Sequence, residues 1–186
     1  GLVAPVSVAT GSDGTKKYLF NISGSRFIET AFIPDRDRAT VCLSVQSGCR
    51  MGCRFCMTAR QGFQGNLTAN EILNQFRSIP EHESLTNIVF MGMGEPLDNL
   101  EQVLRSLEIL TSEWGYGWSP TRITVSTVGI TGKIEEFLSK SKCHLAVSLH
   151  SPFDSERQSL MPAQKAHPVK EILDTIRSFE FGRQRR

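Results

Sequence analysis

The sequence predicts an α/β fold in which an N-terminal β-hairpin precedes four βα units. Three observations carry that prediction. Short β-branched runs recur four times, each is followed by a segment with helical apolar spacing, and the chemically distinctive residues fall just after the runs. The runs are Thr40–Val45, Asn87–Met91, Arg122–Thr127 and His144–Leu149. Strands alternating with helices in this way imply a parallel sheet. Four units are too few to close an eight-stranded barrel, so the expected architecture is a partial (βα) barrel, or the first portion of one.

The hairpin is read from two β-rich runs, Tyr18–Ile22 and Arg26–Ile33, separated by the turn Ser23-Gly24-Ser25. Residues 1–37 are taken as this extension and residues 38–186 as the barrel portion. The first predicted helix opens on Thr68 and Glu71, a capping box, and offers Ile72, Leu73, Phe76 and Ile79 to a core. The second, about Asn99–Thr111, offers Leu100, Val103, Leu104, Leu107 and Leu110. The third, about Gly132–Ser139, offers Ile134, Phe137 and Leu138. The fourth starts at Pro168, a favoured first-turn residue, and shows Ile172, Leu173, Ile176 and Phe179.

Composition sets bounds on function. Over 186 residues, 39% hydrophobic and 22% charged residues exclude a disordered or low-complexity chain. No apolar run approaches the ~18 residues of a membrane span, and no secretory signal is read ahead of the first strand. Lys plus Arg number 21 against 19 Asp plus Glu, and the pI is near 8.4. That is short of the value of about 9 that by itself points to nucleic acid, so an RNA partner is permitted without being indicated. The chain begins at Gly1 and ends in Arg-Gln-Arg-Arg, and both ends are expected to be cut. Arg183, Arg185 and Arg186 are read as the start of a further strand.

Five cysteines, an odd number, include three within eight residues: Cys49, Cys53 and Cys56. Pairs closing so short a loop make a poor disulfide framework, so the expectation is a reduced, cytoplasmic protein whose cysteines bind metal or do chemistry. The loop reads Gly48-Cys49-Arg50-Met51-Gly52-Cys53-Arg54-Phe55-Cys56. Structural zinc wants four ligands, and no fourth Cys or well-spaced His stands beside it. His82 lies on the next connection, and Cys143 precedes the fourth strand, which places it at the opposite rim as a structural residue. Three thiolates suit a [4Fe–4S] cluster with one iron open; a zinc site stays the alternative on spacing alone. Reactive groups in such folds gather at the carboxyl ends of strands. There the chain carries the three cysteines, Gly92-Met93-Gly94-Glu95-Pro96, Ser126 and Ser148-Leu149-His150.

The spacing C-x-x-x-C-x-x-C, with Phe55 before the last Cys, resembles the signature of the radical S-adenosylmethionine enzymes, and the Gly-Glu-Pro segment resembles their second motif. Four segments extend the likeness: Arg38-Ala39-Thr40-Val41-Cys42, Cys56-Met57-Thr58-Ala59-Arg60-Gln61-Gly62-Phe63, Met91-Gly92-Met93-Gly94-Glu95-Pro96-Leu97 and Ser148-Leu149-His150. They look like the RlmN/Cfr family of RNA adenine methyltransferases, from roughly Arg26 onward. The resemblance implies a barrel of the radical SAM type, a [4Fe–4S] cluster on Cys49, Cys53 and Cys56, and S-adenosyl-L-methionine bound by Gly94, Glu95, Ser126, Ser148, Leu149 and His150. It implies an electron donor such as flavodoxin, and as substrates 23S rRNA and tRNA.

In that family a cysteine near the C-terminus is first methylated, and its methyl carbon then becomes a radical that adds to the adenine. A second cysteine resolves the covalent link. Cys42, seven residues before Cys49, matches the resolving cysteine, and Glu29 matches a glutamate assigned as proton acceptor. Read without the resemblance, Cys42 is a small buried hydrophobe and Glu29 a solvated charge on a hairpin strand. The methyl-carrying cysteine has no counterpart here, so this chain alone is expected to be inactive in methyl transfer. Pro96 and the Thr58–Phe63 segment look like the branch acting on adenine carbon 2; the Cfr-type branch, acting on carbon 8, usually has Ala at the Pro96 position. Two further readings are weighed. A radical enzyme acting on something other than nucleic acid has no need of Cys42. A metal-stapled RNA-binding module without catalysis would use Arg50, Arg54 and Arg60 with Phe55 and Phe63.

Overall fold

The structure, a computed structural model, describes residues 2–181. Arg183, Arg185 and Arg186 lie outside the described residues. The order of elements is β1 (Ser7–Thr10), β2 (Lys16–Ser23), β3 (Arg26–Asp35), β4 (Arg38–Cys42), β5 (Gln46–Ser47), α1 (Met57–Arg60), β6 (Gly65–Asn66), α2 (Ala69–Arg77), β7 (Asn87–Phe90), α3 (Leu100–Thr111), β8 (Ile123–Thr127), α4 (Thr131–Lys140), β9 (His144–Val147), α5 (Asp154–Leu160) and α6 (Val169–Ser178).

Seven strands form one mixed sheet in the order β1-β2-β3-β4-β7-β8-β9. The first four pair antiparallel, and β4, β7, β8 and β9 run parallel. The expected hairpin is present, but β3 pairs with β4, so it continues the same sheet. A further edge strand, β1, precedes it; all four of its residues are exposed and carry no alternating pattern.

The pleat sorts side chains onto two faces. Tyr18, Phe20, Ile28, Phe32, Val41, Ile88, Phe90, Ile123 and Val125 are buried beneath the helices in one core. The core-facing sides of α2, α3 and α4 supply Ile72, Phe76, Val103, Leu107, Ile134 and Phe137. The capping box at Thr68 forms in full: Glu71 N–H donates to Thr68 Oγ1 at 3.3 Å, and Thr68 N–H donates to Glu71 Oε2 at 2.7 Å. Residues on the other face are less covered. Register places Lys17, Ala31, Cys42, Val89, Thr124 and His144 in one row across it, since Lys17 opposes Ala31, Ala31 opposes Cys42 and the parallel pairs continue the line. Glu29 lies two residues along β3 from Ala31 and shares that face.

Several boundaries differ from the sequence expectation for visible reasons. The first parallel strand ends at Cys42 rather than Val45, because Val45 N–H turns away to the Met93 carbonyl at 2.8 Å. The fourth ends at Val147, three residues before His150 enters the left-handed region at φ 58°. Pro168 is the N-cap of α6 and not its first turn. Ile79 lies beyond the end of α2 and is nevertheless buried.

Candidate functional site

The carboxyl ends of β7, β8 and β9 and the cysteine loop that follows β5 surround a cavity of about 340 Å³, within the size range of small-molecule sites. The Cys49–Cys56 loop forms one wall and is held tightly. Gly48 has φ 73°, and a Cβ there would meet the Gly62 carbonyl oxygen at 1.6 Å, so only glycine fits this approach. Gln64 N–H donates to Ser47 O at 2.8 Å, and β5 pairs with β6 across the base of the loop. Cys49, Cys53 and Cys56 all line the cavity.

All five cysteines are free. Burial pushes the Cys49 thiol up to about 11 and raises Cys53 as well, with the neighbouring thiols adding to both and Arg157 pulling Cys53 back. The thiol form therefore dominates at Cys49 near neutral pH, and metal binding there must release its proton. Among the described residues no three or more His, Cys, Asp or Glu side chains are gathered closely enough to hold a single ion. The fit to a metal centre rests on the donor set, three thiols on one loop beside a cavity, and on the buried Arg157, whose Nε has no hydrogen-bond partner among the described residues and whose charge acts on Cys53.

The facing wall is Gly92-Met93-Gly94-Glu95-Pro96, whose backbone is fixed to the strand before the cysteines. Met93 N–H donates to Ser44 Oγ at 2.9 Å, and Glu95 N–H donates to Gln46 Oε1 at 3.0 Å. Glu95 is buried and its carboxylate is fully engaged. Oε1 accepts from Leu97 N–H at 3.0 Å and from Thr127 Oγ1, while Oε2 accepts from Val128 N–H at 2.9 Å. Burial raises its pKa and these donors oppose the rise. Glu95 thus ties the loop after β7 to the loop after β8.

The other expected residues divide. Gly94, Glu95, Ser126, Ser148 and His150 line the cavity. Ser126 Oγ and Ser148 Oγ stand 3.4 Å apart, and the His150 ring lies 4.5 Å from the Phe55 ring, centre to centre. Leu149 is exposed and outside the lining. Cys42 and Glu29 also lie outside it. Burial pushes the Cys42 thiol up to about 11 against a hydrogen bond from the Met91 backbone, and Glu29 pairs with Lys17 at 2.9 Å. The sheet nonetheless presents both on the less covered face, and the main chain of Glu29 touches the site's framework: Ser44 Oγ donates to Glu29 O at 2.5 Å. Arg50 is engaged by Asp98 at 2.9 Å and lies 3.9 Å over the Phe63 ring. Cys143 is buried in the core ahead of β9, and His82 bonds the Ile79 carbonyl through Nδ1 at 3.1 Å.

Sequence reasoning missed Thr127, Val128, Met161 and Arg157. Thr127 and Val128 directly follow the expected Ser126, and that adjacency is the signal that could have found them. Arg157 gave no signal, because Asp154-Ser155-Glu156-Arg157 reads as a solvated helix turn, yet it is fully buried.

A cavity at the carboxyl ends of parallel strands is walled here by a three-cysteine loop and a glycine-rich loop. The Radical SAM superfamily profile matches residues 43–182, and the chain belongs to that superfamily. Its relatives are more specific. It is 59% identical, over its whole length, to the probable dual-specificity RNA methyltransferase RlmN of Phocaeicola vulgatus, covering 53% of that protein. It is 45% identical over 183 residues to the dual-specificity RNA methyltransferase RlmN of Syntrophus aciditrophicus, covering 96% of this chain and 52% of that protein. A crystal structure of a radical SAM methyltransferase from Sphaerobacter thermophilus superposes with a TM-score of 0.88 at 40% identity, covering 93% of this chain and 53% of that one. The chain spans about half the length of the curated relatives it matches. Among the described residues no helix is long and apolar enough to cross a membrane.

Proposed function

We propose that this chain is the cofactor-binding part of a radical methyltransferase that methylates carbon 2 of adenine in 23S rRNA and tRNA. The observation that carries the reading is the convergence of the three-cysteine loop and the Gly92–Pro96 loop on one cavity at the carboxyl ends of β7, β8 and β9. The parallel strands are then the first portion of a radical SAM barrel.

Cys49, Cys53 and Cys56 would hold a [4Fe–4S] cluster, and the backbone of the Gly92–Pro96 loop, with Ser126, Ser148 and His150, would hold S-adenosyl-L-methionine; Leu149, outside the lining, is left out of that set. When bound, the cluster supplies the electron that opens the sulfonium, a radical route to a carbon too electron-poor for polar methylation. The residues of this chain supply placement. Glu95 spends its carboxylate on Leu97, Thr127 and Val128, so its part is to fix the shape of the receiving loop. Phe55 and His150, whose rings meet at 4.5 Å in a tilted contact, join the cysteine loop to the loop after β9. Glu29 is assigned as the acceptor of the base proton, with Lys17 paired to its carboxylate at 2.9 Å. Cys42 is assigned as the resolving thiol, on the same face of the sheet.

Anaerobic reconstitution with iron and sulfide tests the reading. A brown protein is expected, with about four irons per chain by the stoichiometry of such clusters and a paramagnetic resonance signal that changes on adding S-adenosyl-L-methionine. A colourless protein retaining a single zinc would assign the loop to a structural staple instead.

A further inference from the structure

Arg157 on α5 is 0% exposed; among the described residues no carboxylate forms an ion pair with it, and Asp154 on the same helix acts on its charge only through space. Its hydrogen bonds all go to neutral oxygens: Nη1 donates to Gln164 Oε1 at 2.5 Å and His167 O at 3.4 Å, and Nη2 to Val128 O at 2.6 Å and Ser148 O at 3.2 Å. Nε is buried with no partner at all. An unmatched buried cation costs several kcal/mol unless a negative group faces it.

The packing brings the cysteine loop to the same helix. Cys53, Val128 and Met161 form a small buried cluster of their own. Arg157 bonds the carbonyl of Val128, and its own carbonyl accepts from Met161 N–H at 2.6 Å. The cysteine loop is fastened to the same helix, since Arg54 N–H donates to Leu160 O at 2.9 Å. The guanidinium therefore shares Val128 as a neighbour with Cys53 and lies close enough to act on that thiol through space. Three thiolates outweigh the positive charge of an oxidised cubane core, and reduction adds one more negative charge.

We infer that Arg157 is a positioning residue that serves as the built-in countercharge of the metal–thiolate centre, holding the loops after β8 and β9 against it and raising its reduction potential. The inference rests on the cluster reading above. A nearby cation favours the more negative, reduced state, so removing the cation makes the centre harder to reduce. A purely structural arginine would need only its fork of donors.

The test is a dithionite redox titration of the anaerobically reconstituted chain, followed by paramagnetic resonance. Arg157→Gln should shift the reduction equilibrium about tenfold toward the oxidised form, a midpoint lower by about 59 mV for one electron. Arg157→Lys should stay close to the native midpoint. Because loss of the fork can unfold the protein, a second variant moves charge and keeps the arginine. Gln164 Nε2 donates to Asp154 Oδ1 at 2.8 Å, so Gln164→Glu with Asp154→Asn retains both hydrogen bonds and the net charge while placing a carboxylate on Nη1. It too should lower the midpoint. Native and charge-relocated proteins with equal iron content and the same midpoint would overturn the inference and leave the cluster reading standing; a native chain that assembles no cluster would overturn both.

Discussion

The Cys42 thiol accepts a hydrogen bond from the Met91 main chain, yet burial is the larger influence and pushes its pKa from 9.0 up to about 11. At pH 8 the thiolate fraction is then about a hundredfold smaller than for the same residue in an unfolded chain. In the metal-free protein, iodoacetamide should label Cys42 at least about a hundredfold more slowly at pH 8 than it does in urea. The rate should climb about tenfold per pH unit and level off near 11. Mass spectrometry of the Cys42 peptide reads both rates, and fast labelling that ignores pH would place the thiol in open water. The sign for stability follows from the raised value: the neutral thiol's contribution is fully present below about pH 9 and is lost as pH rises through 11. In the role proposed for Cys42, a thiol held neutral in this way stays inert until a substrate reaches it. Which residues could be read from sequence depends on whether their chemistry is local. Three cysteines within eight residues announce themselves, and so does Glu95 beside two glycines. Arg157 does not, because its burial is produced by Val128, Ser148, Gln164 and His167, parts of the chain a linear pattern does not join.

At the scale of elements, the site depends on two loops touching through main chain. Gly94 has φ 97°, and a Cβ there would stand 2.5 Å from Gln46 Cβ and 2.8 Å from Gln46 N. Gly94→Ala therefore strains the backbone by about 1–2 kcal/mol and also forces the loop away from Gln46, whose Oε1 anchors Glu95 N–H. A total loss of at least about 2 kcal/mol is expected in urea denaturation. Gly132, in α4, offers the contrast: nothing lies within 4 Å of its added Cβ, and Gly132→Ala should stabilise the protein by about 0.5–1 kcal/mol. Equal effects at the two sites would show that the Gly94 contact is not rigid. Elements with strong internal patterning were legible beforehand. α2 and α3 carry an apolar stripe, α2 adds its Thr68–Glu71 cap, and β8 is a β-branched run. β1 and α5 were not: the first is exposed along its whole length, and the second buries one residue of its seven, an arginine. Both are specified by what they pack against.

Across the whole molecule, one hydrophobic core runs beneath both the antiparallel and the parallel parts of the sheet. Tyr18, Phe20, Ile28 and Phe32 from β2 and β3 belong to the same buried cluster as Val41, Ile88 and Phe76. Lys16 and Tyr18 reach the segment after α2, donating to Glu81 at 2.6 Å and 2.7 Å, and Thr30 Oγ1 and Ser44 N–H both donate to the buried Gln75 of α2 at 2.8 Å. Removing residues 1–37 would strip four large side chains from that core, bare the edge of β4 and leave the Gln75 carboxamide one donor short. Burial of side chains this size contributes about 1.5–3 kcal/mol each, a total comparable with the 5–15 kcal/mol stability of an ordinary domain, and an uncovered strand edge invites pairing with other chains. A chain of residues 38–186 should therefore be aggregated or lack a cooperative thermal transition, whereas residues 1–186 melt in one step. Circular dichroism with size-exclusion chromatography decides between them. A monomeric shortened chain with a melting temperature near that of the longer one would mean that the first three strands are an appendage. The distinction bears on chemistry as well as stability, because β3 carries Glu29 and its neighbour β4 carries Cys42. If the sheet is one cooperative unit, the two residues assigned to proton removal and resolution are held by the same framework that aligns the cysteine loop.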